Sequence, residues 1–569
     1  MINIHIDNKE FECKEGESVL AIALENGIDI PHFCYHEDLP IEAHCRTCLV
    51  EVEPDGDIVT SCSLKAKEGL RVNTDTRRVH QLRHQNLELL LANHQNHCPR
   101  CKKGDYCKTA QIMKDYRVSG KQYKKPEIKD ILHKLGTAAE IDPDACIACG
   151  KCVEICDKLG TCFLQMKGKG AQAHAYYNPD PKVDCIYCGQ CTVHCPVGAI
   201  REQSHLEEVE KVLKDKEKIV IVQMAPSVRA SIGEEFGDKP GKDYTEKMYT
   251  ALREIGFDKI FDVNMGADIT TWVEAEELVE RIEGKGGPLP MFTSCCPGWV
   301  KYVEFYHPEL IPHLTTSRSP QIHSGAAYKT WWAEKEGIDP KKIVVVSLMP
   351  CTSKKYEARH KKLKIDGMWP VDYVLTVRET GNLLRRHGID LPNIEPSKVD
   401  SYGEYSGAAV IYGASGGVME SALRTAYHFV TGKELKKLEF EEVRGMEGIK
   451  KAEIEWGDLK IKVAIVTTAK NMAKVILELK KDPKAYDYIE VMACPGGCIG
   501  GGGQPIPSTE RIIKKRIKGL YNIDDKMKLR TAHQNEVVKD FMENYIAKLP
   551  KERQHELLHT HYEQKKKFE

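Results

Sequence analysis

The chain has 569 residues, enough for four or five domains, and 83 basic against 84 acidic residues give a net charge of −1. This balance gives no indication of a nucleic-acid or membrane-surface partner. No run of eighteen apolar residues occurs and the N-terminus has no basic leader, so we expect a cytoplasmic protein without a membrane anchor.

Cysteine is the residue type that indicates chemistry. The chain has 22 cysteines, many of them in Cys-x-x-Cys runs and not at the spacings typical of disulfides. In a reducing compartment this usage predicts metal ligands.

Residues 1–76 predict a small β-rich domain. Isoleucines alternate from Ile2 to Ile6, and Ser18 can cap a short helix. Four cysteines follow, with a first gap of ten residues that differs from the plant-type Cys-x4-Cys-x2-Cys pattern: Cys34, Cys45, Cys48 and Cys62. The gap is similar to that in N-terminal domains of hydrogenases and respiratory-complex subunits, which favours a [2Fe–2S] cluster over structural zinc. Cys13 lies outside this set and is expected in the core.

The segment 77–125 begins with a leucine-rich helix and then carries Cys98, Cys101 and Cys107. Three thiolates leave one position of a [4Fe–4S] cluster for another ligand. His94 lies one helical turn before Cys98, so both can face one site. His97 competes for the role, and a histidine without any ligand role is the ordinary alternative. Imidazole in place of thiolate raises the reduction potential, which suits an entry or exit point for electrons.

The segment 138–205 contains a repeat. Cys-x2-Cys-x2-Cys-x3-Cys occurs twice, as in bacterial two-cluster ferredoxins, where the fourth cysteine of each run ligates the other cluster. We therefore predict one [4Fe–4S] cluster on Cys146, Cys149, Cys152 and Cys195, and another on Cys185, Cys188, Cys191 and Cys156. Cys162 is left over and is expected to be a buried structural thiol.

From 209 to 507 short apolar runs alternate with helical segments. The runs at 218–222, 343–346, 462–466 and 488–491 predict buried parallel strands, and three of them lead directly to Pro226, Cys351 and Cys494. Ligands of α/β sheets lie at the carboxyl ends of strands, so we expect a pocket between two sheets with a cluster at its floor. Glycines 500–503 would let the backbone approach the cofactor. The glycine-rich segment 413–417 lacks the Lys-Ser/Thr of a phosphate loop and is discounted.

A [4Fe–4S] cluster is held by four cysteine ligands, and this region supplies four candidates: Cys296, Cys351, Cys494 and Cys498. Cys295 precedes Cys296 in the motif Thr-Ser-Cys-Cys-Pro-Gly-Trp. Adjacent side chains point in different directions, so we expect Cys295 to face a separate space. Spacing alone therefore predicts a cluster and one unexplained thiol.

These motifs, at 293–299, 349–357 and 492–503, resemble the signature segments of the [FeFe] hydrogenases, and the resemblance covers nearly the whole chain. In that family the four-cysteine cluster shares one cysteine with a diiron centre that carries CO, cyanide and a bridging azadithiolate, and the enzyme interconverts H₂ with protons and electrons. By position, the resemblance makes Cys498 the shared ligand and Cys295 the thiol that passes protons to the bridging amine. It also favours His94 as the cluster ligand.

Six further residues match positions around the diiron centre of the family: Pro226, Ser227, Gln321, Met349, Lys354 and Met492. The resemblance implies that Lys354 and Ser227 present polar hydrogens to a cyanide ligand. The two methionines would pack against the diiron unit, although without the resemblance both would be interpreted as core residues.

Two carboxylates match the proton path of the family. Glu274 and Glu277, at i and i+3, share one face of a helix. Taken alone, this acidic segment is equally typical of a solvated helix face. Thr315 occupies a position where relatives often carry serine, so a hydroxyl is kept but the path departs from the family pattern.

The segment 508–569 is charged and predicted to be mostly helical. It contains His555-Glu556-Leu-Leu-His559, the pattern of zinc proteases, but a third ligand and a substrate cleft are missing from the pattern, and we discount it. The tail, which continues to His561, resembles that of hydrogenase subunits in NAD(P)-linked complexes.

The predicted fold is multidomain α+β and α/β. It comprises a β-grasp [2Fe–2S] domain (1–76), a His/Cys cluster domain (77–125), a two-[4Fe–4S] ferredoxin domain (138–205), a two-lobed α/β catalytic domain (209–507) and a C-terminal helical segment (508–569). The predicted cofactors are one [2Fe–2S] cluster, four [4Fe–4S] clusters and the diiron centre. Expected partners are H₂, protons, ferredoxin and a flavin- and NAD(P)-binding subunit, an arrangement compatible with electron bifurcation.

Two other functions stay open at this point. An electron-transfer or assembly relative would keep the four cysteines without the diiron unit, but cluster ligation alone requires none of Cys295, Met349, Lys354, Glu357 and Met492. A hydrogen sensor would share the fold, but an intact Cys295 and the absence of an appended signalling domain argue against it.

Overall fold

The computed structural model of the chain describes residues 1–94, 107–124, 127–435, 437–456 and 459–569. Within these ranges no helix is long and apolar enough to cross a membrane.

The N-terminal part of the chain forms a five-stranded sheet in the order β2-β1-β5-β3-β4, with β1 parallel to β5 and the other pairs antiparallel. Its elements are β1 (Ile2–Ile6), β2 (Lys9–Cys13), α1 (Val19–Glu25), β3 (Leu49–Val52), β4 (Asp57–Thr60) and β5 (Arg71–Asn73). Ile4 and Ile6 are buried under α1, and the Ser18 hydroxyl accepts the Ala21 N–H at the start of that helix. The alternating strand from Ile2 to Ile6, the helix capped by Ser18 and the burial of Cys13 are confirmed.

Two helices follow, α2 (Arg77–Leu91) and α3 (Lys108–Asp115). Leu87 and Leu91 are buried, as an apolar helix face predicts. His97, Cys98 and Cys101 lie outside the described residues.

The cysteine repeat folds into two short helices that begin in the same way. Its elements are β6 (His133–Leu135), β7 (Ala139–Ile141), α4 (Lys151–Leu159), β8 (Leu164–Lys167), β9 (His174–Tyr177), α5 (Gln190–His194) and β10 (Ile200–Glu202). Gly150 before α4 and Gly189 before α5 have φ of 79° and 73°, a left-handed conformation that glycine adopts without strain. The burial expected for Cys162 is wrong. This residue is exposed, because it lies in the left-handed turn that follows α4, with φ of 50°.

The largest part of the chain contains two four-stranded sheets. Strands β12-β11-β14-β15 form one sheet, which is parallel throughout, and β13-β18-β17-β16 form the other, with β16 antiparallel to β17. The strands are β11 (Ile219–Met224), β12 (Lys259–Asp262), β13 (Met291–Phe292), β14 (Ile343–Met349), β15 (Tyr373–Thr376), β16 (Ile449–Trp456), β17 (Leu459–Thr467) and β18 (Tyr488–Met492). All four predicted parallel strands are confirmed.

Helices cover both sheets. In chain order they are α6 (Leu206–Val212), α7 (Thr245–Ile255), α8 (Val263–Ile282), α9 (Pro297–Tyr306), α10 (Pro320–Ala327), α11 (Ala333–Glu336), α12 (Ser353–Glu357), α13 (Val377–Arg386), α14 (Gly407–Ile411), α15 (Gly417–Thr431) and α16 (Ala469–Lys481). Helix α8 packs against both α10 and α15, and most of its side chains are buried. Residues on most sides of α8 are therefore buried.

The C-terminal segment packs onto the same body. It is mostly helical, as predicted, with α17 (Glu510–Lys526), α18 (Glu536–Lys539) and α19 (Lys551–Leu558). Helix α17 packs against α14 through Ile513, Ile517 and Leu520. After α19 the chain pairs with the segment before α10, since the Thr560 N–H donates to the Thr316 carbonyl at 2.7 Å and the Arg318 N–H to the Leu558 carbonyl at 2.9 Å.

Candidate active site

A cavity of about 70 Å³ opens where β11, β14 and β18 end. Its lining includes eleven residues that the sequence singles out: Pro226, Ser227, Cys295, Cys296, Gln321, Met349, Cys351, Lys354, Met492, Cys494 and Cys498. Glu274, Glu277 and Thr315 are outside this lining. The cavity therefore lies at the carboxyl ends of strands, where the pattern predicted it.

Four thiols converge on one side of the cavity. Cys296 directly precedes α9, Cys351 follows β14, and Cys494 and Cys498 follow β18. No disulfide joins these described cysteines. Burial, and then the neighbouring thiols, raise the pKa of Cys494 and Cys498, so both are neutral until a metal displaces their protons. Four converging thiols form the donor set that a [4Fe–4S] cluster requires.

The lining also carries a fixed positive charge, on Lys354. The Lys354 ammonium donates to the Cys295 carbonyl at 3.0 Å and to Glu357 Oε2 at 2.9 Å. Burial alone lowers the pKa of Lys354, but the Glu357 carboxylate outweighs it, so the pKa is raised and the charge is retained. Gln321 Nε2 donates to the same Glu357 oxygen at 3.0 Å and so holds the pair in place.

Two buried polar atoms of the lining lack a hydrogen-bond partner within the part of the chain that the structure describes. They are Ser227 Oγ and Gln321 Oε1. An unpaired buried hydroxyl costs roughly 1–3 kcal/mol, so a ligand group that accepts its hydrogen fits this wall. A diiron centre with cyanide ligands has such acceptors, and the thiols and Lys354 of the same lining fit the rest of that group.

Cys295 is buried and opens onto the same cavity as Cys296. We expected Cys295 to face a different space from Cys296, but the two side chains line one cavity. Burial, then the nearby Glu274 carboxylate, raise the pKa of the Cys295 thiol well above its ordinary range. The side chain is a neutral thiol in this setting, not a thiolate.

Glu274 lies on α8 behind Cys295 and is 1% exposed. Its Oε1 accepts the Tyr488 hydroxyl at 2.9 Å, whereas its Oε2 is buried with no partner among the described residues. Burial raises the pKa of Glu274 to about 8, and the Glu277 carboxylate adds to the shift. The alternative of a solvated acidic face is wrong for Glu274, because α8 runs between packed helices.

Glu277 lies one turn further along α8 and is half-buried. Its Oε2 accepts the Thr315 hydroxyl at 2.6 Å and the Thr316 N–H at 2.9 Å, and its Oε1 accepts Arg281 at 2.5 Å. The three residues predicted on the proton path are thus brought together beside the cavity.

Four residues that sequence reasoning missed also belong to this region: Tyr412, Tyr488, Arg281 and Thr316. Tyr412 lines the cavity, and its hydroxyl lies 2.8 Å from the Thr271 hydroxyl. Arg281 lies at i+4 from Glu277, a spacing that indicates an ion pair and could have been noticed. No comparable sequence signal marks the two tyrosines.

The cysteines of the repeat form two groups. A small cavity is lined by the first predicted set: Cys146, Cys149, Cys152 and Cys195. Cys185, Cys188, Cys191 and Cys156 lie close enough for their charges to affect one another. Cys188 is also a neighbour of Cys494. The second group is therefore adjacent to the four thiols of the main cavity.

Glycines 500–503 make close backbone contacts in addition to the approach to a cofactor expected of them. Gly501 lines the cavity, but a Cβ at Gly502 would overlap the backbone of Gly189, and a Cβ at Gly503 would lie 2.9 Å from the Pro350 carbonyl carbon. Gln190 Nε2 also donates to the Gly500 carbonyl at 2.7 Å. Gly502 thus lets this loop pack on the cysteine repeat, Gly503 lets it pack on Pro350, and the approach of Gly501 to a cofactor stays a prediction.

The segment 413–417 supports the loop of Cys498. The Ile499 N–H donates to the Gly413 carbonyl at 2.8 Å, and the Ser415 N–H to the Gly496 carbonyl at 2.9 Å. The Gly416 N–H donates to the buried Glu490 carboxylate at 2.6 Å. A carboxylate at this turn would repel a phosphate, so discounting a phosphate loop is supported.

The N-terminal cysteines are buried as a group: Cys34, Cys45, Cys48 and Cys62. Cys34 and Cys45 are near enough to hydrogen-bond, as are Cys48 and Cys62. In the next segment Cys107 is buried, and His94 Nδ1 lies 2.8 Å from the Ala145 carbonyl, next to Cys146. Metal-ligating histidines usually donate their other ring N–H to a carbonyl or carboxylate, so this contact is compatible with His94 as a ligand.

Several protein families match parts of this sequence. A family described as "Iron only hydrogenase large subunit, C-terminal domain" matches residues 218–502. Families described as "2Fe-2S iron-sulfur cluster binding domain", "4Fe-4S binding domain" and "Iron hydrogenase small subunit" match 1–77, 183–201 and 510–565.

Individual proteins match over the whole length. Iron hydrogenase 1 of Clostridium pasteurianum is 40% identical over 99% of this chain and 100% of its own length. The NADP-reducing hydrogenase subunit HndD of Solidesulfovibrio fructosivorans is 39% identical over 99% of both. Among solved structures, an [FeFe]-hydrogenase from Chlamydomonas reinhardtii is 37% identical with a TM-score of 0.57, over 63% of this chain and 99% of that one.

Proposed function

The chain belongs to the [FeFe] hydrogenase family, and from that premise we propose which of its residues hold the cofactors, move the protons and pass the electrons. It is an oxidoreductase acting on H₂, a mixed α/β multidomain protein with an [FeFe]-hydrogenase fold, a [2Fe–2S] domain and a ferredoxin-like [4Fe–4S] motif. The finer division into the five domains predicted above is part of the proposal.

Cys296, Cys351, Cys494 and Cys498 would hold the cubane of the H-cluster, and by position in the family Cys498 would be the ligand nearest the diiron centre. The convergence of these thiols at one cavity supports the assignment. When bound, the diiron centre supplies the reversible cleavage of H₂ into two protons and two electrons.

Lys354 and Ser227, which line the same cavity, would orient a bound diiron centre by hydrogen bonding. Lys354 keeps its charge beside Glu357 and lines the cavity, and the Ser227 hydroxyl has its hydrogen available. Pro226, Met349 and Met492 exclude water from the same space. A low-polarity cavity strengthens these few polar contacts.

Protons move between the cavity and α8. Cys295 holds a proton at Sγ and exchanges it with Glu274 Oε2, the carboxylate oxygen that lacks a partner among the described residues. A carboxyl with a pKa of about 8 can be loaded and unloaded near neutral pH, which is what proton transfer requires. The Thr315 hydroxyl, 2.6 Å from Glu277 Oε2, continues the path to Glu277.

Electrons leave through the two [4Fe–4S] sites of the cysteine repeat. The site with Cys188 adjoins the cubane ligands, and the site with Cys146 adjoins Ala145, whose carbonyl contacts His94. The [4Fe–4S] site of His94, Cys98, Cys101 and Cys107 and the [2Fe–2S] site of Cys34, Cys45, Cys48 and Cys62 are the outer ones. This makes one [2Fe–2S] and four [4Fe–4S] clusters.

The electron partner is a flavin- and NAD(P)-binding subunit, with ferredoxin as a second partner. An NADP-reducing hydrogenase subunit is 39% identical over 99% of the chain, which supports this choice, and two outer cluster sites allow two electron routes. A cytoplasmic location follows from NAD(P) as partner. Isolation from its host as a fully active monomer that uses ferredoxin alone would contradict this part of the proposal.

The observation that carries the hydrogenase mechanism is the thiol of Cys295, buried at the cavity and additional to the four cluster ligands. The test compares H₂ oxidation with an artificial dye in the wild type, in Cys295→Ala and in Cys162→Ala, an exposed cysteine as control. We expect full iron content in all three and loss of turnover in Cys295→Ala alone. Wild-type turnover in Cys295→Ala would contradict the proposed path.

A further inference from the structure

The proposed proton path reaches Glu277, which still lies half-buried and needs a connection to solvent. Its two carboxylate oxygens have different surroundings. Oε1 accepts two hydrogen bonds from Arg281, at 3.1 Å from Nε and 2.5 Å from Nη2. Arginine does not deprotonate in proteins, so this oxygen is held by a group that cannot relay a proton.

Arg281 is also closed off from solvent. Its side chain is 2% exposed, and the guanidinium donates to the carbonyls of Pro288 at 2.9 Å and Leu314 at 2.8 Å. The loop before β13 and the segment that ends at Leu314 thus cover it. Arg281 positions Glu277 and stabilises its charge, and an exit for protons must lie on the other oxygen.

Oε2 leads to the C-terminal segment. The Thr316 hydroxyl donates to Glu277 Oε2 at 3.1 Å and lies 2.9 Å from His559 Nδ1. The backbone fixes this contact, because the Thr560 N–H donates to the Thr316 carbonyl and the Arg318 N–H to the Leu558 carbonyl. His559 is therefore held on Thr316 from both sides.

Beyond His559 two more imidazoles reach the surface. The ring of His555 stacks on that of His559, with centroids 5.2 Å apart. The ring of His561 also stacks on His555, with centroids 4.9 Å apart. His559 is half-buried, whereas His555 and His561 are exposed. This is the His-Glu-x-x-His motif that has no role in the proposed function so far.

We propose that His555, His559 and His561 form the outer port of the proton path, joined to Glu277 through the Thr316 hydroxyl. This inference rests on the hydrogenase function proposed above and extends its path to solvent. In the inward direction His559 gives its Nδ1 proton to Thr316 Oγ1, Thr316 gives its hydroxyl proton to Glu277 Oε2, and Nε2 of His559 takes a proton from the solvent side. The outward direction reverses each transfer, and no electron moves.

The charged groups around His559 suit a relay by a neutral imidazole. Burial lowers the pKa of His559 to about 4, the Glu277 carboxylate opposes that shift, and His555, His561 and Arg318 add to it. At neutral pH the ring is uncharged, with one nitrogen that donates and one that accepts. A ring in this state can pass a proton without storing charge beside Arg318.

The test uses the holoenzyme and four substitutions. Thr316→Val removes the hydroxyl at nearly constant volume, Thr316→Ser keeps it, His559→Ala removes the imidazole, and His307→Gln alters a half-buried histidine outside the array as a control. Initial rates of H₂ oxidation with a dye are measured in H₂O and D₂O across pH, with and without added imidazole. Iron content and CO and cyanide infrared bands report whether the active site is intact.

We expect Thr316→Val and His559→Ala to lose at least about tenfold in rate with an increased solvent isotope effect, since proton relays typically contribute about 10²–10⁴. Thr316→Ser recovers most of the rate lost in Thr316→Val, imidazole restores part of the rate of His559→Ala, and His307→Gln resembles the wild type. Wild-type rates in Thr316→Val and His559→Ala would overturn the proposal. So would a loss that neither serine nor imidazole restores, because that indicates a structural role. A wild type without H₂ turnover or without CO bands would instead refute the proposed function.

Discussion

Substitution of Glu274 by glutamine should remove a pH-dependent cost to stability. The carboxyl is 1% exposed and its pKa is raised to about 8, mainly by burial. Glutamine has the same size, keeps an oxygen that accepts the Tyr488 hydroxyl, and does not ionise in this range. Glu274→Gln therefore resembles the protonated wild type at every pH.

The sign and size of this stability effect follow from the pKa of Glu274 in the unfolded and folded states, 4.5 and about 8. Between pH 4.5 and about 8 the folded state keeps a proton on Glu274 that the unfolded state has released, so wild-type stability falls as pH rises through this window. A shift of this size corresponds to about 5 kcal/mol at 1.36 kcal/mol per pH unit, as an upper value. For a domain of roughly 300 residues that is about 8 °C in melting temperature.

The assay is the apparent melting temperature of the holoenzyme, followed by circular dichroism from pH 5 to 8.5. Glu280→Gln, an exposed position on the same helix, is the matched control. We expect the gap between Glu274→Gln and wild type to widen steadily in favour of the variant as pH rises, and to stay constant for Glu280→Gln. H₂ turnover should fall in Glu274→Gln alone. A gap that is the same at pH 5 and pH 8.5 would refute the raised pKa.

Three further predictions follow from the other sites. Cys295→Ala should keep its iron and its CO and cyanide bands yet lose about 10²–10⁴ in H₂ turnover, whereas Cys296→Ser should lose iron; equal iron loss in both would contradict the division of roles. Gly502→Ala should overlap the Gly189 backbone and lower the free energy of unfolding by about 1–3 kcal/mol, with slower electron delivery to the partner than to a dye; an unchanged melting temperature would argue against that junction. His94→Ala should remove or convert one cluster signal in electron paramagnetic resonance, and an unchanged spectrum would exclude it as a ligand.

Much of the fold could be predicted because its signals are local. Three kinds of signal depend only on neighbours in sequence: the alternation from Ile2 to Ile6, the Ser18 cap, and the apolar runs that form β11, β14, β17 and β18. Strand β16 was missed because Ile449–Trp456 mixes lysine and glutamate with apolar residues, as an edge strand with one exposed face does.

The site was predicted as a set of residues, but not as a set of contacts. The cysteine spacing indicates ligands, yet the shared cavity of Cys295 and Cys296 depends on how β18 and α9 meet. The contact between Thr316 and His559 joins positions 243 residues apart, and no local pattern can indicate it. Gly502 shows the same limit, since its partner Gly189 lies in another part of the chain.

The central claim is that the cavity between the two sheets holds a diiron centre on Cys498. The most direct test is the infrared spectrum of the matured holoenzyme, because CO and cyanide ligands absorb where protein groups do not. We predict CO and cyanide bands in the wild type, the same bands in Cys295→Ala, and their loss in Cys498→Ser. H₂ turnover by a wild-type protein without these bands, or bands that persist in Cys498→Ser, would contradict the account.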